Sequence, residues 1–353
     1  MTALVALVVC SVIFLLLNTT LTAVVRRLGA LLHARIDVLP LPRRVAWRLA
    51  FLLLPATVSL ALILPLLLEL HRGRASTLVA LCERLHAHCD LFLHSDMAGE
   101  TIAYAGAGLV LSLVFSRLIG RLVWPAVDVP LRARRPSPDS NAIAAAVARA
   151  KEQTGLQPEV RILEGVNAAV CTGLRRPTVV FEPRFLASLA PDEVHAVLLH
   201  EVAHFQAWDG ARNGLLGLVG AFAALPGSST LLSHYALDRE LMSDGRAVAR
   251  GADPLALASA LVKAARLQMP GGPRFLALPA LPGAGGSALA VRVELLVSQA
   301  GRMTPPVAPG ALGDEAPLSM LLLAGVVVTG GGVWGQWGHA LHCLVEDLVH
   351  LIS

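Results

Sequence analysis

The stretch Val197–Gly210, VLLHEVAHFQAWDG, places two histidines four residues apart, with a glutamate directly after the first. On a helix, residues i and i+4 lie on one face, so the imidazoles of His200 and His204 point to the same side. Two such nitrogens can bind one Zn²⁺, and Glu201 can act as general base on a water that the metal activates. The alternative is an amphipathic helix with two incidental histidines, because the pattern fixes only a few positions. The motif alone leaves both interpretations open.

A third ligand distinguishes these interpretations. A glycine three residues and a histidine six residues after His204 would indicate a metzincin, but these positions hold Ala207 and Gly210. In a gluzincin the third ligand is a glutamate on a later helix. The segment DRELMSDGRAV offers Glu240 for that role. One turn on, Asp244 could hold the far nitrogen of a histidine as an acceptor.

The composition is typical of a membrane protein. Of 353 residues, 55% are hydrophobic and 15% charged, and the mean hydropathy is +0.64, whereas about 25% of residues are charged in soluble domains. The net charge of +4 does not indicate a nucleic-acid partner, and five cysteines do not make a disulfide scaffold. Apolar runs of sufficient length predict four membrane spans, at residues 1–25, 49–68, 101–123 and 316–337. A signal peptide is the alternative for the first run, but no basic residue precedes it and Arg26-Arg27 follows it.

The charges between these spans alternate. Arginine prevails in 26–48 and directly after the third span, whereas acidic residues prevail in 69–100 and 338–353. The positive-inside rule therefore predicts a multi-pass plasma-membrane protein with its N-terminus outside. The 26–48 loop and the long segment 130–315 are predicted to be cytoplasmic, and 69–100 and 338–353 extracellular.

The segment 130–315 has the pattern of a mixed helix and strand domain. Helices are predicted over 141–154, from Pro191 onward and over 290–300, and strands over 159–163 and 177–181. The charge-free stretch 213–237 is interpreted as a core helix or membrane-dipping hairpin, because one crossing would separate Glu240 from the histidines. The predicted fold is a mainly α membrane protein with four transmembrane helices. An α+β zincin domain of the gluzincin type lies between spans three and four.

Residues 167–209, NAAVCTGLRRPTVVFEPRFLASLAPDEVHAVLLHEVAHFQAWD, resemble the BlaR/MecR-type membrane zinc metallopeptidases. HEVAH with a later E-x-x-x-D also occurs in the CAAX-protease/HtpX type. The resemblance implies a membrane-bound zinc metalloendopeptidase. It implies one Zn²⁺ per chain on His200, His204 and Glu240, with Glu201 as catalytic base. It also implies an edge strand along which the substrate backbone pairs, formed by Asn167, Ala168, Ala169 and Val170.

Several other residues receive roles from the sequence. Asp209 is interpreted as structural, at the turn after the motif helix, and His195 as a surface residue. His234 is a candidate transition-state stabiliser, with a polar loop histidine as the alternative. Two predicted outer segments contain a possible extracellular metal site, formed by Cys82, His86, Cys89, His342 and Cys343. The alternative is a disulfide between Cys82 and Cys89.

The expected activity is regulatory hydrolysis of a cytoplasmic or membrane protein, such as a transcriptional repressor, at a site facing the lipid bilayer. The antibiotic sensors of this type continue into an extracellular penicillin-binding domain. This sequence has no S-x-x-K serine motif, so β-lactam sensing is not expected. The alternatives are a quality-control membrane peptidase and a non-proteolytic receptor with structural zinc. The sequence does not indicate an oligomeric state.

Overall fold

The structure is a computed structural model, and it describes residues 2–72, 129, 132–136, 141–166, 168–173, 175–222, 228–267 and 285–301. The predicted spans at 101–123 and 316–337 lie outside these residues. So do Asn167 and the possible extracellular metal site, which comprises Cys82, His86, Cys89, His342 and Cys343. These predictions stay predictions.

The described N-terminal part is a pair of long helices, α1 (Thr2–Asp37) and α2 (Leu41–Arg72), that pack against each other. Only residues 38–40 separate the helices, so most of the predicted inter-span segment 26–48 is helical, and its cytoplasmic location stays a prediction. Pro42 lies in the first turn of α2, where its missing N–H has no helical acceptor to lose.

One helix in the described part of the chain is long and apolar enough to cross a membrane by length and composition, namely α1 over Phe14–Asp37. The predicted first span, 1–25, lies almost entirely within α1. The predicted second span, 49–68, lies within the continuous helix α2.

A small sheet has the order β1-β3-β2, with β1 (Glu159–Ile162) parallel to β3 (Thr178–Phe181) and β2 (Ala169–Thr172) antiparallel to it. The strands predicted at 159–163 and 177–181 are confirmed to within one residue. The predicted edge strand at 167–170 is displaced, since β2 begins at Ala169. Ala168 has a φ of 52°, a left-handed conformation that does not continue an extended strand.

The turn between β2 and β3 requires a glycine at its first position. Gly173 has a φ of +106°, and a Cβ there would lie 2.2 Å from the carbonyl oxygen of Arg176. Gly173, the glycine of the G-x-x-x-P pattern, therefore meets two requirements of this turn: a positive φ and the absence of a Cβ.

Seven further helices are described. They are α3 (Asn141–Thr154), α4 (Pro183–Ser188), α5 (Pro191–Gln206), α6 (Asp209–Phe222), α7 (Ser228–Ala249), α8 (Pro254–Leu267) and α9 (Gly285–Ala300). The helices predicted at 141–154 and from Pro191 are confirmed, and the one predicted at 290–300 begins earlier, at Gly285. Most of the charge-free stretch 213–237 lies in α6 and α7, and both helices pack against α2 and α5.

Helix α5, which carries HEVAH, forms the centre of the domain. It packs against α3, α7, α8 and β2, and its Leu198, Leu199 and Val202 are fully buried. The interpretation of His195 as a surface residue is wrong: its side chain is buried, and its Nε2 lies 2.8 Å from Oε1 of Gln153 on α3. Since neighbouring elements cover α5 on several sides, a residue that does not share the face of His200 and His204 is still inside the protein.

Candidate metal centre

Three side chains from two helices converge on one point. His200 and His204 come from α5, and their Nε2 atoms are 3.0 Å apart. Glu240 comes from α7, with Oε2 3.5 Å from Nε2 of His200 and Oε1 3.6 Å from Nε2 of His204. In the described part of the chain, this is the group of histidine, cysteine and acidic side chains that could hold a metal ion.

The donor set and its spacing fit Zn²⁺. Zinc takes imidazole nitrogen and carboxylate oxygen at about 2.0–2.2 Å, which puts the donor atoms of a tetrahedral site about 3.4 Å apart. The separations of 3.0, 3.5 and 3.6 Å bracket that value. An ion held by these three side chains would keep a fourth position open, which is the coordination of catalytic rather than structural zinc sites.

A buried carboxylate lies behind each histidine. Nδ1 of His200 is 2.9 Å from Oδ1 of Asp244, and Nδ1 of His204 is 2.6 Å from Oδ2 of Asp209. When each ring is neutral with its proton on Nδ1, next to the carboxylate, the lone pair is on Nε2 and faces the point of convergence. The geometry predicted for Asp244 is thus confirmed. Asp209, interpreted as structural from the sequence, contacts His204 in addition to its place after the motif helix.

The electrostatics of the centre favour positive charge at the point of convergence. Burial opposes protonation of His204, but the carboxylates of Glu240 and Asp209 outweigh it and raise its pKa to about 10. Burial is likewise outweighed at His200, whose pKa is raised by Asp244 and Glu240. Burial would raise the pKa of Glu240, but Arg292 and the imidazoles hold it well below the ordinary value. The glutamate is therefore ionised and available as a ligand at neutral pH.

Sequence reasoning missed two arginines in this centre. Arg292 of α9 places Nε and one terminal nitrogen 2.8 Å from the oxygens of Asp244, and its other terminal nitrogen 2.8 Å from Oε2 of Glu240. Arg239 contacts Asp209 and donates to Oδ1 of Asn213 at 2.7 Å. No spacing rule relates Arg292 to α7, so the sequence could not indicate its contact with Glu240 and Asp244. Arg239 directly precedes Glu240, and this position could have indicated a role near the site.

Glu201 follows His200 on α5, and its charge acts on Cys171 of the edge strand β2 and on Arg292 of α9. Within the described ranges its carboxylate forms neither a hydrogen bond nor an ion pair. Burial, together with the negative charge of Glu201, raises the pKa of the Cys171 thiol on β2 well above its ordinary value. Since α5 packs against β2, the edge of the sheet flanks the candidate base.

His234 lies elsewhere on α7. Its ring stacks on His33 of α1 with centroids 4.3 Å apart, and its carbonyl oxygen accepts from Arg48 of α2 at 3.0 Å. It precedes Glu240 by six residues, which is about 9 Å along the helix axis. These contacts favour a packing role at the α1–α2 pair. The suggested role as transition-state stabiliser gains no support.

Comparison with known protein families, curated proteins and solved structures found no match to this chain. The function is therefore argued from the residues and their geometry.

Proposed function

We propose that this protein is a membrane-bound zinc metalloendopeptidase of the gluzincin type. The observation that supports this proposal is the convergence of His200, His204 and Glu240 at separations suited to a tetrahedral ion, with a carboxylate behind each imidazole. Glu201, next to a ligand and without a hydrogen-bonded partner in the described ranges, suits a general base. A structural zinc site would need a fourth protein ligand and no base.

The roles of the residues follow from their positions. Zinc, when bound, would supply Lewis-acid activation of a water molecule and of the scissile carbonyl. The Glu201 carboxylate takes a proton from the attacking water and delivers it to the leaving amine nitrogen. The edge strand β2 offers backbone groups to an extended substrate, which would hold the scissile bond beside α5. Asp244 and Asp209 keep the imidazole rings in one orientation and one tautomer.

The proposal extends to topology and physiology. The arginine distribution supports four spans with the zinc domain in the cytoplasm, so that the substrate is a cytoplasmic or membrane protein. Regulatory cleavage of a repressor and quality control of membrane proteins both use this arrangement. A reporter fused after residue 200 tests the orientation, and a signal from outside the cell would contradict it.

The decisive experiment compares wild type with Glu201→Gln and Glu240→Gln in purified full-length protein. We expect Glu201→Gln to retain one zinc per chain and to lose about 10²–10⁴-fold in peptide hydrolysis, the usual contribution of a general base. Glu240→Gln should lose the metal itself. Zinc content by elemental analysis separates the two variants.

Proteomics of cells that carry wild type or Glu201→Ala would identify the substrate. If no protein changes its cleavage, and purified wild type shows no chelator-sensitive proteolysis while it binds zinc, the peptidase is excluded. The receptor with structural zinc then remains.

A further inference from the structure

Three consecutive residues of α7 reach three different partners. Asp238 contacts Arg48 of α2, Arg239 contacts Asp209, and Glu240 faces the two histidines. At about 100° per residue, Asp238 and Glu240 point about 200° apart around the helix. One side of this turn therefore meets the long helix pair, and the opposite side supplies a metal ligand.

Arg48 is almost completely buried where these helices meet. Its side chain is 4% exposed and contacts Asp238, which is 3% exposed. Nη2 of Arg48 also lies 2.5 Å from Oδ1 of Asp37 on α1, and Nη1 of Arg48 donates to the carbonyl oxygen of His234 at 3.0 Å. A single guanidinium thus joins α1, α2 and α7.

Apolar packing surrounds this ion pair. One cluster combines residues of α2, α6 and α7, namely Val45, Leu49, Leu53, Leu216, Tyr235 and Met242. Since packed interiors do not deform continuously, a displacement of α2 has to move α7 with it.

We propose that Arg48 is a positioning residue that sets the orientation of α7, and with it the position of Glu240, from the α1–α2 pair. This inference rests on the proposed metal site. A helix that crosses or borders the bilayer is thereby connected to the metal ligand through buried ion pairs of Asp238, two residues from Glu240, in which Arg48 makes the shorter contact and Arg44 the longer one, at 3.6 Å. The same contacts give a route by which movement of α1 or α2 changes metal binding.

The charge of the pair permits a test that separates positioning from mere stability. Removing Arg48 leaves the buried Asp238 with only the longer contact to Arg44, at 3.6 Å, and so destabilises the protein. Neutralising Asp238 as well removes the poorly compensated charge. The Arg48→Met/Asp238→Asn double variant should therefore recover thermal stability. It still lacks the contact that orients α7.

The experiment measures zinc affinity by chelator competition, the visible spectrum of the Co²⁺-substituted protein and the melting temperature, all on the full-length protein. We expect Arg48→Met to weaken zinc binding about tenfold, the lower end of the effects of residues that support ligands, and to alter the Co²⁺ spectrum. Arg43→Met is the matched control, because Arg43 is exposed on the same helix, five residues before Arg48. It should match wild type.

In the double variant we expect the melting temperature to recover, while zinc affinity and the Co²⁺ spectrum remain altered. Recovery of all three would overturn the positioning role and leave Arg48 as a stabilising residue. Unchanged zinc affinity in Arg48→Met would also overturn it. Both results concern metal binding by the variants. They are distinguishable from failure of the proposed function, in which wild type would bind zinc but not cleave peptides. A wild type that binds no zinc overturns the metal site and this inference together.

Discussion

Glu193→Gln tests how α5, the helix that carries the two candidate metal ligands His200 and His204, is anchored. Glu193 lies in the first turn of α5, and its side chain is 8% exposed. It accepts from the N–H of Ala190, from Oγ of Ser259 and from Nζ of Lys263, each at 2.6 Å. The carboxylate therefore caps α5 and joins it to α8.

The cost of the substitution follows from these contacts. Glutamine keeps the shape but not the charge, and a hydrogen bond to a charged group contributes about 1 kcal/mol more than a neutral one. Lys263 is 33% exposed and keeps the carbonyl of Ser188 at 2.8 Å, so it regains part of its solvation. We expect a net loss of about 2 kcal/mol, which corresponds to a melting temperature lower by roughly 4–8 °C in a domain of this size.

The loss should depend on pH with a defined sign. Burial would raise the pKa of Glu193, but its bonds to Lys263, Ser259 and the N–H of Ala190 outweigh this and lower it. A carboxyl with a lowered folded-state pKa stabilises the protein above its unfolded pKa of about 4.3, and this contribution disappears as the pH falls through the folded value. The difference between wild type and variant should be constant from about pH 7 to 5 and shrink below about 4.

The assay is the melting temperature of the full-length protein across this pH range. Asp192→Asn is the matched control, since the neighbouring Asp192 pairs with Arg149 at 3.0 Å where both are exposed, at 72% and 50%. A surface pair of this kind contributes about 0–1 kcal/mol. Equal losses in the two variants, or a Glu193→Gln effect that persists undiminished at pH 3, would refute the reasoning.

Three further outcomes are expected. Asp244→Asn removes the carboxylate behind His200 and should lower zinc affinity about 10–100-fold in chelator competition. Arg292→Met leaves the buried carboxylate of Asp244 and the partly exposed one of Glu240 without this counter-charge, so it should lower the melting temperature more in metal-free than in zinc-loaded protein. Gly155→Ala should lower the free energy of unfolding by about 1–2 kcal/mol, because Gly155 has a positive φ. Gly173→Ala should lower it clearly more, because the new Cβ would also collide with backbone atoms.

The features that the sequence predicted well depend on neighbours along the chain. A four-residue spacing fixes the shared face of His200 and His204 once α5 is helical. The same rule places Glu240 and Asp244 on one face of α7. The sequence alone therefore predicted Asp244 as the acceptor for a histidine. Helix ends at Gly155 and Pro191 followed from local backbone preferences.

The features that the sequence missed depend on contacts between distant segments. Asp209 appeared to be a turn residue until the fold placed it against His204 and Arg239. His195 was judged by its offset from the metal-facing side, but packing on α3 buried it. The helical structure of most of 26–48 was not foreseen either, although arginines are compatible with helix.

The sequence by itself thus determined which atoms can bind a metal, because ligand type and helical spacing are local properties. The tertiary structure decided that α7 returns Glu240 to α5, that Arg292 neutralises the carboxylates, and that Arg48 connects the centre to the long helix pair. The physical reason is that a buried charge requires a partner, and only the packed fold determines which distant side chain supplies it.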